Sequence, residues 1–153
     1  MSGQATVTIG TKQWTCLVAS TSAELTAGLS GVASLAANNG MLFDLGGERL
    51  VTVNAFEMLF PLSVVFINEE LKVTEVIPLL AIGDEITSVL PCRYFVEMNV
   101  GESIDVAPGD TVTIAGYTPP SSTANSVIEL MLTMVIVTMM MQMIMETMED
   151  MKI

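Results

Sequence analysis

The sequence predicts an α+β fold that is mainly β: a small barrel- or sandwich-like domain with one short helix, followed by a long apolar C-terminal helix. Three observations indicate this fold. Short apolar runs recur through residues 1–116, separated by glycine, proline and asparagine turn signals. One segment between two such runs has the pattern of a helix start. Finally, 19 consecutive residues near the C-terminus contain almost no strongly polar side chain.

The first elements are a predicted hairpin and a predicted helix. Ala5–Ile9 and Gln13–Ala19 are strand-like runs on either side of a glycine turn, which is typical of a hairpin. Thr21 and Glu24 then have the spacing of a capping box, and Gly28 stands where a helix would end. We therefore expect a helix of about two turns between them.

Strands are predicted again after the turn signal around Gly40. Many short strands separated by turns at this spacing are typical of a small barrel or sandwich. Pro61 lies inside one of the runs and predicts an edge position or a bulge there, because proline has no amide hydrogen to donate. The predicted strands are Met41–Leu45, Leu50–Phe56, Met58–Ile67, Leu71–Ile77, Glu85–Val89, Arg93–Val100 and Thr111–Ala115.

The chain divides into a predicted β-rich domain at 1–116, a linker at 117–126 that is rich in proline, serine and threonine, and a methionine-rich helix at 127–153. An a/d heptad seam, as in a coiled coil, follows this helix. Its members are Val127, Leu130, Met134, Val137, Met141, Ile144, Met148 and Met151.

The other faces of this predicted helix are apolar too, so it must be surrounded either by lipid or by other protein helices. The 19 residues Val127–Met145, of which Glu129 and Gln142 are the only strongly polar ones, would span about 28 Å, close to the hydrocarbon thickness of a bilayer. Gln142 within the span, and the lack of aromatic belts, argue against insertion. The heptads and the gap-filling methionines favour an oligomer core instead. Both environments stay open at this point.

Charge and composition exclude several function classes. The chain carries 17 acidic and 5 basic residues, a formal charge of −12, which disfavours nucleic acid as a partner. Histidine is absent, so the usual general base and the commonest metal ligand are missing. The polar N-terminus does not have the pattern of a signal peptide. We predict no catalytic residue, metal site or cofactor.

Four residues are candidates for ligand binding: Arg93, Glu97, Glu102 and Asp110. Arg93 lies in an apolar strand, where a buried guanidinium needs carboxylates or carbonyls around it. Glu97 falls on the same strand face, and Glu102 or Asp110 are candidates to reach Arg93 across strands. The functional interpretation is an anion-binding pocket. The alternatives are a structural ion pair for Arg93 and a solvated acidic turn for the carboxylates.

Several motifs in order along residues 5–115 resemble the domain of unknown function 192 (DUF192) family. This resemblance implies a small, mostly β domain with a short helix, often exported or membrane-linked, and no assigned activity. Members commonly carry Asp where this chain has Ser63, and the Met-rich C-terminal helix is an addition. The motifs are Gly28-Leu29-Ser30-Gly31, Gly40-Met41-Leu42-Phe43, Met58-Leu59-Phe60-Pro61-Leu62, Val65-Phe66, Arg93-Tyr94, Glu97, Gly101-Glu102 and Gly109-Asp110.

Two functions fit these features. The first is a non-enzymatic assembly component whose C-terminal helices pool into an apolar homo-oligomer core and display the β domain, as in a virion or another large surface assembly. The alternative is a tail-anchored membrane protein whose β domain binds a small ligand or partner on the cytoplasmic side of a lipid bilayer. An enzyme that uses an acidic cleft beside Arg93 is a third, less favoured possibility.

Overall fold

The computed structural model describes residues 3–121 and 138–149. The chain forms two compact units, Met1–Pro120 and Ser121–Ile153. The described residues of the first, the β unit, form nine strands and one helix. In chain order these are β1 (Gln4–Ile9), β2 (Lys12–Ala19), α1 (Ser22–Ala27), β3 (Asn39–Arg49), β4 (Thr52–Asn54), β5 (Leu62–Ile67), β6 (Val73–Leu80), β7 (Glu85–Thr87), β8 (Cys92–Asn99) and β9 (Val112–Ala115).

Seven strands form one mixed sheet, and β4 and β7 pair separately. The order in the large sheet is β6-β5-β8-β3-β2-β1-β9. Within this described sheet, only β2 and β3 pair in parallel. The segment that contains α1 connects them and returns the chain to the end of the sheet where β2 began. All other neighbours are antiparallel. The predicted mainly β fold is thereby confirmed.

The large sheet curls into a half-barrel whose two edges meet at one end. Beside β6, Lys72 forms an isolated bridge with Thr111, which precedes β9. The Val73 amide donates to the Asp110 carbonyl at 2.9 Å, and the Val112 amide donates to the Leu71 carbonyl at 2.9 Å. Backbone groups that an open edge would expose are satisfied there.

The two faces of the sheet bury two separate apolar clusters. The inner cluster lies within the curl and spans residues from both edge strands, including Val7, Trp14, Leu42, Val73, Tyr94, Val96 and Val112. The outer cluster packs between the other face and the segments around α1 and β4. It includes Leu29, Met41, Phe43, Val53, Met58, Val64, Phe66 and Phe95. Alternate residues of β3 and β8 belong to different clusters, as strand geometry requires.

Helix α1 begins with the predicted capping box. The Thr21 hydroxyl accepts a hydrogen bond from the Glu24 amide at 3.2 Å, and the Glu24 carboxylate accepts one from the Thr21 amide at 3.1 Å. The helix stops before Gly28, which has a φ of +49°. The first hairpin and this helix therefore match the prediction from the sequence.

The predicted strand Met58–Ile67 was too long. Strand β5 begins at Leu62, directly after Pro61, so the missing proline amide lies outside the sheet. The edge position was also wrong, because β5 pairs with both β6 and β8. The pairing of β5 with β6 does shift register between Leu62 and Val64, which is the irregularity offered as the alternative.

The second unit contains a helix over residues 138–149. Met141, Ile144 and Met148 of the predicted seam lie on it, whereas Val127, Leu130, Met134, Val137 and Met151 fall outside the described residues. Half of the predicted linker, residues 122–126, also falls outside them. Across the described ranges, no helix is both long and apolar enough to cross a membrane. The long helix predicted over 127–153 is shown over 138–149 and stays a prediction for the rest of that range.

Candidate functional site

Glu97 is the central residue of the candidate site, and its neighbours in the sheet are apolar. It lies near the end of β8, opposite Met41 of β3 on one side and Val64 of β5 on the other. Residues that face each other across strands point to the same side of the sheet, and both neighbours belong to the outer cluster. Phe95, two residues earlier in β8, belongs to it as well. The Glu97 carboxyl therefore enters an apolar layer.

The Glu97 side chain is buried, and no described residue forms a hydrogen bond with one of its carboxyl oxygens. The residue is only 5% exposed, and its Oε2 atom has no hydrogen-bond partner among the described residues. Burial raises the pKa of the carboxyl from 4.5 to about 8. Glu97 is therefore mostly protonated at neutral pH. Buried polar groups in native proteins are nearly always hydrogen-bonded, so this orphaned atom requires an explanation.

A cavity of about 300 Å³ lies in the same region. Its volume falls at the lower end of the range for small-molecule sites. The last turn of α1 and the residues after it form one wall, β4 forms another, and β3 and β8 form the floor. The apolar lining includes Leu25, Leu29, Phe43, Val53, Met58 and Phe95, and Glu97 and Arg49 supply the charged groups.

The floor of the cavity depends on Gly40. A Cβ atom at this position would lie 2.7 Å from the Glu97 carbonyl oxygen and 3.3 Å from the Cys16 sulfur. Only glycine allows β3 to lie this close to β8 and β2. Gly28 has a similar role in the wall, because a Cβ there would lie 3.3 Å from the Phe43 ring. The two glycines therefore permit close approaches to two residues that line the cavity, Glu97 and Phe43.

Two aromatic rings lie beside the carboxyl. Phe43 and Phe95 are stacked, with 4.2 Å between ring centroids and 9° between ring planes, and both line the cavity. Arg49 lies at the end of β3 and is exposed. The site therefore combines a buried acid, aromatic surface and a cation on the solvent side.

Arg93 lies outside the cavity lining, and its guanidinium forms hydrogen bonds with three residues. Its guanidinium is buried and donates to Asp44 at 3.1 Å, to Glu69 at 3.1 Å and to the Pro120 carbonyl at 2.6 Å. The Tyr117 hydroxyl donates to the second Asp44 oxygen at 2.7 Å. These contacts form a closed structural network, which is the alternative considered for Arg93 from the sequence.

The structure does not bring the four predicted ligand-binding residues together. Within the described part of the chain, Arg93 contacts neither Glu97, Glu102 nor Asp110. The Glu102 carboxylate accepts from the Trp14 indole at 2.8 Å and from the Asn38 amide at 3.2 Å. The Asp110 carboxylate accepts from the Ala107 amide at 2.9 Å. Of the four, Glu97 alone lines the cavity, because burial and strand register separate it from the acidic loop.

Metal ions and reactive thiols each need a particular arrangement of side chains. No group of three or more Cys, Asp or Glu side chains in those ranges is placed to hold a metal ion. Cys16 and Cys92 are both buried and free. Burial raises the pKa of the Cys16 thiol to about 12 and that of Cys92 to about 11, so the reactive thiolate is disfavoured at both.

Fold and site together define a small curled-sheet domain with a cavity that is lined by a buried acid and by the end of its helix. The DUF192 family, described as an uncharacterized ACR, matches residues 5–114. The chain belongs to this family. Comparison with curated proteins gives no match.

Two solved structures are similar to the chain. A protein of unknown function from Novosphingobium aromaticivorans is 25% identical, with a TM-score of 0.65 over 72% of this chain and 83% of its own. A Sinorhizobium meliloti protein, named provisionally as a transcription regulator, is 26% identical, with a TM-score of 0.70 over 76% of this chain and 97% of its own. Both similarities support the fold of the β unit.

Proposed function

We propose that the β unit is a non-enzymatic binding module for a small molecule and that the cavity at Glu97 is its site. The observation that carries this proposal is the buried Glu97 Oε2 atom without a hydrogen-bond partner among the described residues. Leaving such a group unsatisfied costs about 1–3 kcal/mol of folding stability. A ligand that bonds to this atom would restore the lost interaction.

The lining of the cavity supports binding over catalysis. Ligand sites are mostly apolar, with a few polar groups that orient the ligand. Here the aromatic and aliphatic residues surround one carboxyl. Acid–base chemistry commonly uses a second titratable group beside the first. Among the described lining residues, Arg49 is the only other charged one, so no second carboxyl or histidine lies beside Glu97 there.

The binding proposal is tested with small amphiphilic probes. We expect 1-butanol and n-butylamine, added to the full chain, to shift the NMR signals of Gly28, Phe43 and Phe95, which line the cavity. Val53→Phe should narrow the cavity and abolish these shifts. Ile104→Phe is the matched control, because Ile104 is 80% exposed and lies outside the cavity lining. The proposal fails if no probe shifts these signals, or if Val53→Phe leaves them unchanged.

The C-terminal segment supports a second proposal, that the protein assembles as a homo-oligomer through its pooled helices. The helix over 138–149 exposes a dense set of large apolar side chains, each between 55% and 67% exposed. Water disfavours so much contiguous apolar surface, which is typical of a protein or membrane interface. These residues are Met139, Met140, Met141, Met143, Ile144, Met145 and Met148.

Assembly and membrane anchoring are separated by the behaviour of the full chain. Under the assembly proposal, with the virion or a surface assembly as its location, light scattering should show a discrete oligomer without detergent. Ile144→Glu should shift this oligomer towards monomer, whereas Thr147→Glu, at a polar position of the same helix, should have a smaller effect. Complete partition into lipid vesicles would instead favour the tail-anchored alternative, with the β unit on the cytoplasmic side.

A further inference from the structure

The Glu97 carboxyl, once ionised, would be stabilised most by a hydrogen-bond donor that carries positive charge. The Glu97 Oε2 atom has no donor beside it in the described residues. Its cross-strand neighbours, Met41 and Val64, are apolar and cannot supply one. A buried carboxylate is stabilised only by a paired charge or by several hydrogen bonds. An ammonium group offers both, because it has three N–H donors and a full charge.

The aromatic surface of the cavity suits the same kind of group. Phe43 and Phe95 line the cavity together with Glu97. A cation close to an aromatic face is attracted by the electrons of the ring, and this attraction strengthens when water is excluded. The adjoining Leu29, Val53 and Met58 would cover an alkyl or aryl body. Carboxyl, rings and aliphatic wall thus match the two parts of an organic amine.

The overall negative charge of the protein also favours a cationic ligand. With a formal charge of −12, the chain attracts cations and repels anions at a distance. Among the described lining residues, an organic anion would find one cationic group, Arg49, which is exposed at the solvent side. We therefore propose that the cavity binds a primary amine with an apolar body, whose ammonium group pairs with the Glu97 carboxylate. This inference rests on the proposed binding function and names the class of its ligand.

Binding of this kind has a defined proton balance. Free Glu97 holds its proton at neutral pH because burial raises its pKa to about 8. The amine arrives protonated and keeps its proton, so the carboxyl proton leaves to solvent when the ion pair forms. No covalent bond is made or broken in the amine. Well below pH 8 the affinity should therefore rise about tenfold for each pH unit, and the rise should level off near pH 8.

The surroundings of Glu97 allow this titration to be assigned. On β3 and β5 its neighbours are Met41 and Val64, and the end of α1 contributes Leu25, Thr26 and Ala27 to the cavity. None of these side chains titrates in this range. Glu97 is the one acidic group among the described lining residues, so we assign to it a change of protonation between pH 6 and 8.

The experiment titrates the full chain with three probes of equal length: n-butylamine, 1-butanol and butyrate. The dissociation constant of each probe is measured by NMR titration at pH 6, 7 and 8. We expect butylamine to bind about tenfold more tightly at pH 7 than at pH 6. Glu97→Gln should remove this pH dependence while leaving the 1-butanol affinity nearly unchanged. Glu57→Gln, which removes an exposed carboxyl outside the cavity lining, should behave like the unaltered protein.

Three other results would contradict the amine proposal, and one of them would also contradict the binding function. If 1-butanol binds as tightly as butylamine at every pH, the amine inference is wrong while the binding function stands. If butyrate binds best, Arg49 directs an anion and the inference is equally wrong. If no probe binds at any pH, both proposals fail. The pH dependence is measured on the unaltered protein, so the inference stays testable even if Glu97→Gln does not fold.

Discussion

Arg93 and Asp44 form a buried ion pair, 3.1 Å from guanidinium nitrogen to carboxylate oxygen, although 49 positions separate them in the chain. Both side chains are at most 5% exposed. The pair joins β8 to β3 in the middle of the sheet. Removing one partner would leave the other charge buried and unpaired. The resulting loss of folding stability is much larger than that caused by losing a surface ion pair.

We therefore expect Arg93→Met to lower the free energy of unfolding by about 3–5 kcal/mol. Asp44→Asn should have an effect of similar size, and the double variant should lose less than the sum of the two. Urea denaturation measures all three. Asp105→Asn, which removes the exposed partner of Lys12, is the control and should change stability by less than about 1 kcal/mol. Equal losses in the buried and exposed pairs would contradict this assignment.

The raised pKa of Glu97 makes stability depend on pH. The folded protein holds the proton up to about pH 8, whereas the unfolded chain releases it near 4.5. The folded state therefore binds the extra proton between these values, and its stability falls as pH rises through that window. The slope from one such proton is about 1.4 kcal/mol per pH unit.

Comparison with Glu97→Gln isolates this effect. Denaturation curves at pH 5, 6, 7 and 8 should show the unaltered protein losing stability relative to the variant as pH rises. Glu57→Gln serves as the exposed control and should follow the unaltered protein. Parallel curves for the unaltered protein and Glu97→Gln would mean that Glu97 titrates normally in the folded state.

Gly40→Ala should destabilise the β unit by about 1–3 kcal/mol, because the added methyl group would lie 2.7 Å from the Glu97 carbonyl oxygen. The displaced strand should also change the NMR signals of Glu97 and Phe95. Gly10→Ala is the control that distinguishes backbone strain from steric crowding. Gly10 has a positive φ, but no atom lies within 4 Å of the Cβ that alanine would add. We expect a smaller loss there, and an equal loss would remove the argument from close packing.

Thr21→Ala should lower stability by about 1 kcal/mol, because it removes the side-chain acceptor of the capping box. Helix α1 also forms a wall of the cavity, so amine affinity should fall with it. Ser22→Ala, at the first helical residue, is the control and should have little effect. Hydrogen exchange of the Glu24 amide provides a local measurement. Unchanged exchange in Thr21→Ala would show that the cap does not hold the helix.

Local patterns in the sequence were sufficient for the first three elements. Alternation predicted β1 and β2, and the Thr21–Glu24 spacing predicted α1 together with its cap. These signals involve residues within a few positions of each other. The limits of β5 were missed, because an apolar run does not reveal that Pro61 stands outside the strand.

The candidate site depends on long-range pairing, which a single sequence does not display. The burial of Arg93 was predictable from its apolar strand, but its partner Asp44 lies on another strand. Glu97 was named as a candidate with the wrong neighbours, because only strand order places it between Met41 and Val64. Phe43, Arg49 and Phe95 carried no signal of their own for a cavity. Their role follows from the register of β3 against β8.

The hydrogen bond from Arg93 to the Pro120 carbonyl determines how the β unit would respond to mechanical pulling at its C-terminal boundary. A pull on the chain beyond Pro120 reaches Arg93 on β8, an interior strand of the sheet, as well as the edge strand β9. Peeling an edge strand breaks its bonds one after another, whereas loading an interior strand resists through many bonds at once. The chain leaves the fold at a point that is attached to an interior strand as well as following an edge strand.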